Sequence, residues 1–123
     1  MPDALIAVVD DDDMVRRATS SFLRSLGYET VLFTGPEAFL ASDASGVDCI
    51  VSDVQMPGMS GLEMHRMLRE RGQPIPVVLM TAYLTKETND YARNAEIVAL
   101  LEKPLVTEDL IAAVGKALAT RSA

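Results

Sequence analysis

The chain predicts a doubly wound α/β domain of the (βα)5 kind. Its three layers are a parallel five-stranded sheet in the order 2-1-3-4-5 and helices on both faces. Three observations predict it. Short apolar runs alternate with amphipathic segments five times along the sequence. The inner runs are continuously apolar, the pattern of strands buried on both faces. Each run also stops abruptly at polar residues, as strands do when they deliver side chains to one edge of a sheet.

The first strand is Leu5-Ile6-Ala7-Val8-Val9, closed by four aspartates, Asp10 to Asp13. Met14, Val15, Ala18, Phe22, Leu23 and Leu26 then recur at helical spacing, with Gly27 as the stop. Asp12 and Asp13 suit the cap and first turn of that helix. Tyr28 to Phe33 reads as the second strand. Gly35-Pro36 opens a short helix with proline at its first position, followed by Ala38, Phe39 and Leu40.

Ala44-Ser45-Gly46 leads to the third strand, Cys49-Ile50-Val51-Ser52, which ends in Asp53. Met56 to Gly61 is a loop of turn formers. A third helix is predicted over Leu62 to Arg71, with Leu62, Met67 and Leu68 facing the core. His65, among Arg66, Arg69 and Arg71, falls on its exposed face. The fourth strand runs from Ile75 to Met80 and ends at Thr81. Thr85 to Ala95 has little besides Tyr91, Ala92 and Ala95 to bury, and reads as a weakly apolar helix. Val98 to Glu102 is the fifth strand, leading to Lys103-Pro104, whose peptide bond is expected to be cis, as a sharp turn after the strand requires. Thr107 is expected to cap a last helix that buries Leu110, Ile111, Val114 and Leu118.

A length of 123 residues supports one domain, residues 1–123, around one core, and 49% hydrophobic residues suffice to fill it. The net charge is −7 and no basic run exceeds Arg16-Arg17, which argues against nucleic-acid binding by this segment. The single cysteine, Cys49, excludes an internal disulfide, fits a reducing compartment and reads as a small core residue. The seven methionines read as core filler and loop anchors. No stretch reaches the roughly 18 apolar residues of a membrane span. Met1-Pro2-Asp3 lacks the basic region of a signal peptide. A cytoplasmic protein with no membrane partner is expected.

In the sheet order 2-1-3-4-5, strands 1 and 3 are neighbours, and Asp10 and Asp11 come beside Asp53. Three carboxylates this close repel one another, and a divalent cation relieves the repulsion. Oxygen ligands and a small, partly hydrated site favour magnesium, Mg2+. Asp53, fixed at a strand end, is the candidate nucleophile, since a carboxylate accepts a phosphoryl group as an acyl phosphate. Lys103 and Thr81 are placed to hold the oxygens of that group.

These residues carry a family resemblance. Val9-Asp10-Asp11, Ser52-Asp53-Val54-Gln55-Met56-Pro57-Gly58-Met59-Ser60-Gly61, Met80-Thr81-Ala82 and Glu102-Lys103-Pro104 occur in the order and spacing of a receiver domain of two-component response regulators. The chain resembles a chemotaxis-regulator-like single receiver over its whole length. The resemblance implies a flavodoxin-like fold and phosphorylation of Asp53 by a sensor histidine kinase or a phosphotransfer protein. Asp11, Asp53 and the backbone carbonyl of Gln55 would ligate Mg2+ directly, and Asp10 through water. It implies no turnover enzyme, but a domain that catalyses its own phosphorylation and a slow autodephosphorylation modulated by Gln55 and Tyr83. The output would be a downstream protein or a fused effector domain, with homodimerisation through the face of helix 4, strand 5 and helix 5.

Two positions depart from the family pattern on that same face. Leu100 stands where receivers usually carry Tyr or Phe, and Ala95-Glu96 where many carry Ala-Gly. Two other readings compete. A small haloacid-dehalogenase-like phosphatase would use Asp10 and Asp12 as its strand-1 Asp-x-Asp, leaving Asp53 and the Met56-Pro57-Gly58 loop without a role. A receiver-like module that binds its partner without phosphorylation would not need the acid, Thr81 and Lys103 set.

Overall fold

The computed structural model describes residues 4–43, 46–95 and 97–122. Glu96 of the Ala95-Glu96 pair, Ala44 and Ser45 of the predicted loop, and the Met1 to Asp3 terminus lie outside the described residues. Strands β1 (Leu5–Val9), β2 (Glu29–Phe33), β3 (Cys49–Asp53), β4 (Val77–Thr81) and β5 (Ala99–Glu102) alternate with helices α1 (Asp13–Ser25), α2 (Pro36–Leu40), α3 (Gly61–Glu70), α4 (Lys86–Asn94) and α5 (Thr107–Ser122). The five strands form one sheet in the order β2-β1-β3-β4-β5, every pair parallel. The expected topology is therefore the observed one.

Side chains alternate along each strand, so each inner strand supplies two cores. Ala7, Val9, Ile50, Val77 and Leu79 face one side with Phe39 of α2 and Met64 and Leu68 of α3. Ile6, Val8, Cys49, Val51, Val78 and Met80 face the other with Leu23 of α1 and Leu110, Val114 and Ala117 of α5. Cys49 is a buried free thiol, as expected, and burial pushes its pKa up to about 12, so it stays protonated.

The helix starts follow local chemistry. Asp12 caps α1 by accepting from Val15 N at 3.1 Å, and Asp13 lies in the first turn. Ser60 and Glu63 form a reciprocal capping box on α3. Thr85 accepts from Thr88 N at 3.0 Å and caps α4, which forms although it buries little beyond Thr88 and Ala92. Gly27, at φ 98°, ends α1 in the left-handed region.

Several expected faces are rotated. In α1 the inward residues are Thr19, Ser20 and Leu23, while Met14 is 81% exposed and Leu26 39%. Polar residues face inward there because Ser20 and Thr30 hydroxyls hydrogen-bond at 2.7 Å across to β2. In α5, Ala113 and Ala117 are buried and Ile111 is exposed, since small side chains let the helix approach the sheet. Thr107 is the first helical residue rather than the cap: Leu110 N donates to Val106 O, which places Val106 at the capping position. In α3, Met64 and His65 turn inward with Leu68, and Met67 is only partly buried. His65 is therefore buried, not exposed. Its Nδ1 hydrogen-bonds the Tyr91 hydroxyl of α4 at 2.9 Å, which satisfies the imidazole inside the interface.

Candidate functional site

The carboxyl ends of β1, β3, β4 and β5 meet at one edge of the sheet. Val9 is in register with Ser52, Asp53 with Met80, and Thr81 with Glu102. The residues that follow or close these strands are thereby brought together: Asp10 and Asp11 after β1, Asp53 at the end of β3, Thr81 at the end of β4, Lys103 after β5. The reversal of winding between β1 and β3 leaves this edge uncovered, as in other open α/β sheets.

Backbone close approach helps to set the position of Asp53. Gly61 N donates to Val54 O at 2.9 Å, and a side chain at Gly61 would collide with the backbone carbonyl of Asp53. Glycine there lets α3 start directly against the strand end. Lys103 N donates to Thr81 O at 2.8 Å, extending the β4–β5 pairing by one residue. The Lys103-Pro104 bond is cis, as expected.

One carboxylate oxygen from each of Asp10, Asp11 and Asp53 lies within 4.8 Å of the others. Asp10 is fully buried, Asp53 is 7% exposed, and Asp11 lies open to solvent. Lys103 Nζ stands 3.4 Å from Asp53 Oδ2 and 3.9 Å from Asp10 Oδ2. One ammonium beside three carboxylates leaves an excess of negative charge. Burial pushes the Asp10 carboxyl above its ordinary pKa, and the charges of Asp53 and Asp11 add to this, against the Asp12 N–H and Lys103.

Among the described residues, Asp10 Oδ2 and Asp53 Oδ1 are buried with no hydrogen-bond partner. Two orphaned buried acceptors aimed into one acidic cluster match the donor set of a hard divalent cation. The residues present thus fit a metal such as magnesium.

Thr81 is fully buried, and its hydroxyl lies in a knot of three hydrogen bonds. Oγ1 donates toward Gln55 Oε1 and Tyr83 O, each at 2.9 Å, and accepts from Tyr83 N at 3.1 Å. Gln55 and Tyr83 are both exposed, Tyr83 by 74%. Leu100, in register with Leu79, is partly buried against the α2–α3 core and is not at the acidic cluster.

Two supporting residues escaped the sequence reading. The Arg16 guanidinium donates to Asp10 O at 2.8 Å and to Asp13 Oδ1 at 2.5 Å, bracing the acidic turn after β1. Glu37 of α2 accepts from Met59 N at 3.2 Å and props the loop after β3. The i,i+3 spacing of Asp13 and Arg16 signals a helical ion pair. Nothing in the sequence signals the bond to the Asp10 carbonyl, or the contact from Glu37 across 22 positions.

Comparison with known proteins agrees with this geometry. A family model described as the response regulator receiver domain matches residues 6–115. The chain is 39% identical over 120 residues to the transcriptional regulatory protein FixJ of Azorhizobium caulinodans, covering 96% of this chain and 57% of that protein. It is 34% identical over 116 residues to the response regulator protein TodT of Pseudomonas putida, covering 94% of this chain and 51% of that protein. The chain therefore spans about half the length of these curated relatives. The crystal structure of FixJ-N superposes with a TM-score of 0.87 at 31% identity, covering 97% of this chain and 96% of that one.

Proposed function

Because the chain belongs to the response regulator receiver domain family, we propose that Asp53 is its phosphoacceptor and that the surrounding residues carry out the transfer. The observation that carries this reading is the placement of Asp53. Its carboxylate ends a strand beside two other acids and 3.4 Å from the Lys103 ammonium. A sensor histidine kinase or a phosphotransfer protein is the donor. An oxygen of Asp53 attacks phosphorus, the O–P bond forms as the N–P bond of the phosphohistidine breaks, and the imidazole leaves with the bonding pair.

Asp11, Asp53 and the backbone carbonyl of Gln55 would hold Mg2+, with Asp10 joined through water. When bound, the cation neutralises charge on the phosphoryl oxygens. This chain's own residues do the rest. Asp53 presents the nucleophile from a rigid strand end. Lys103 supplies a cation to the transferred group. Thr81 donates a hydrogen bond from its hydroxyl to a phosphoryl oxygen. Gln55 and Tyr83 flank the path of the water that later hydrolyses the acyl phosphate.

The phosphorylated state would be read by a downstream protein or a fused effector domain, with the face of α4, β5 and α5 as the homodimer surface. A cytoplasmic setting fits a kinase partner, and no helix among the described residues is long and apolar enough to cross a membrane. The phosphatase alternative finds less support. Asp12, which it needs as a catalytic acid, is the exposed cap of α1.

The test is phosphorylation with acetyl phosphate or a phospho-donor kinase and magnesium, followed by mass spectrometry. The wild type should gain one phosphoryl group on Asp53, and Asp53→Asn none. Normal labelling of Asp53→Asn with loss in Asp10→Asn would establish the phosphatase chemistry instead.

A further inference from the structure

We propose that the Gln55 side chain is a latch on Thr81: its amide oxygen accepts a hydrogen bond from the Thr81 hydroxyl in the unphosphorylated protein, and that bond must break before Thr81 can bind the phosphoryl group. This deepens the phosphoacceptor reading and rests on it.

A threonine hydroxyl has one proton. In this chain that proton faces two acceptors at 2.9 Å, Gln55 Oε1 and Tyr83 O, with no water-accessible surface on Thr81. The hydroxyl is thus fully committed inside the protein. A phosphoryl oxygen on Asp53 has to compete for it. The bonds to Tyr83 close a tight turn within two residues of Thr81. The bond to Gln55 is of another kind, because it ties the loop after β3 to the end of β4 across 26 positions. It therefore opposes movement of Thr81 relative to the strand that carries Asp53.

Gln55 is exposed, so its amide is stabilised by water once Thr81 departs. That makes the latch weak and reversible. A net hydrogen bond of this type biases an equilibrium by roughly fivefold. Gln55 is accordingly a positioning residue. It sets the population of the Thr81-free state without touching the transferred group.

The test uses the full chain at saturating magnesium, with beryllofluoride as the acyl-phosphate mimic and the Tyr83 amide resonance as the reporter. Gln55→Met keeps the length and removes the one acceptor that ties Thr81 to the loop after β3, leaving the local bond to Tyr83 O. It should bind beryllofluoride about fivefold more tightly. Its ligand-free Tyr83 amide should lie displaced from the wild-type position along the line toward the bound one, as a population shift requires. Gln55→Glu retains an acceptor oxygen and should return the ligand-free amide to the wild-type position. In a Thr81→Val background, Gln55→Met should change nothing, since the coupling is then absent. Unchanged affinity and amide position in Gln55→Met would overturn the latch while leaving the phosphoacceptor reading standing. So would an equal effect in the Thr81→Val background. Failure of the wild type to bind beryllofluoride would overturn both.

Discussion

His65 Nδ1 and the Tyr91 hydroxyl meet at 2.9 Å, with their rings edge to face, and join α3 to α4. Helix α4 buries few apolar groups, and this polar contact ties it to α3. Burial lowers the His65 pKa from 6.5 to about 4, and the nearby Arg69 charge adds to the effect. The Tyr91 hydroxyl is pushed up, again chiefly by burial.

A lowered histidine pKa makes stability fall with acid. Below pH 6.5 the unfolded chain takes up a proton that the folded protein refuses until about pH 4. The contribution of His65 is therefore intact above pH 6.5 and is lost as the pH falls toward 4, by on the order of 2–3 kcal/mol across the window. Urea unfolding of the wild type and His65→Met at several pH values should show a shallower pH slope in the variant. Equal slopes would remove His65 as the cause.

The acidic cluster makes a second prediction. Asp10 is fully buried, and its Oδ2 has no hydrogen-bond partner among the described residues. Without metal, Asp10→Asn should raise the melting temperature by a few degrees, the equivalent of about 1 kcal/mol, by removing one of three mutually repelling charges. It should also reduce the rise that magnesium produces, because the stabilisation by a bound ligand at a given concentration falls, logarithmically, as its affinity falls. Calorimetry with and without magnesium measures both. An identical magnesium response in the two proteins would contradict the assignment of Asp10 to the metal site.

Tyr83 should limit autodephosphorylation. It lies two residues past Thr81 and is 74% exposed, so replacing it disturbs the fold little. Tyr83→Ala or Tyr83→Glu should hydrolyse the acyl phosphate several-fold faster, equivalent to about 1 kcal/mol off the barrier. Loss of label from purified phosphorylated protein gives the rate. An unchanged rate would show that the ring does not obstruct the attacking water.

The fourth prediction concerns signal transmission. Leu100 packs against the α2–α3 core and has no polar tip to prefer an outward state. The response to phosphorylation should therefore pass through residues 82–85 and α4 rather than through β5. Hydrogen exchange with and without beryllofluoride should show changes in that loop and helix. Leu100→Tyr should alter coupling to a partner while Asp53 labels at near the wild-type rate. Exchange changes confined to β5 would contradict this route.

The sequence by itself determined the strand order, the two-sided sheet and the assembly of Asp10, Asp11, Asp53, Thr81 and Lys103 at one edge. The two-sided sheet and the polar strand ends follow from local signals, apolar runs that end in polar residues; the order 2-1-3-4-5, one of the doubly wound orders the winding rule permits, is the one the family resemblance implies. The inward faces of the helices were decided by tertiary structure. Periodicity identifies a buried face only when apolar side chains alone fill it. Here Ser20 pairs with Thr30 ten positions away and His65 with Tyr91 twenty-six away, so satisfied polar groups take interior places that polarity would deny them. Arg16 on the Asp10 carbonyl, Glu37 on Met59 N, and Gln55 on Thr81 have the same origin. A hydrogen bond depends on a few tenths of an ångström and on direction, and packing sets both after the chain has folded.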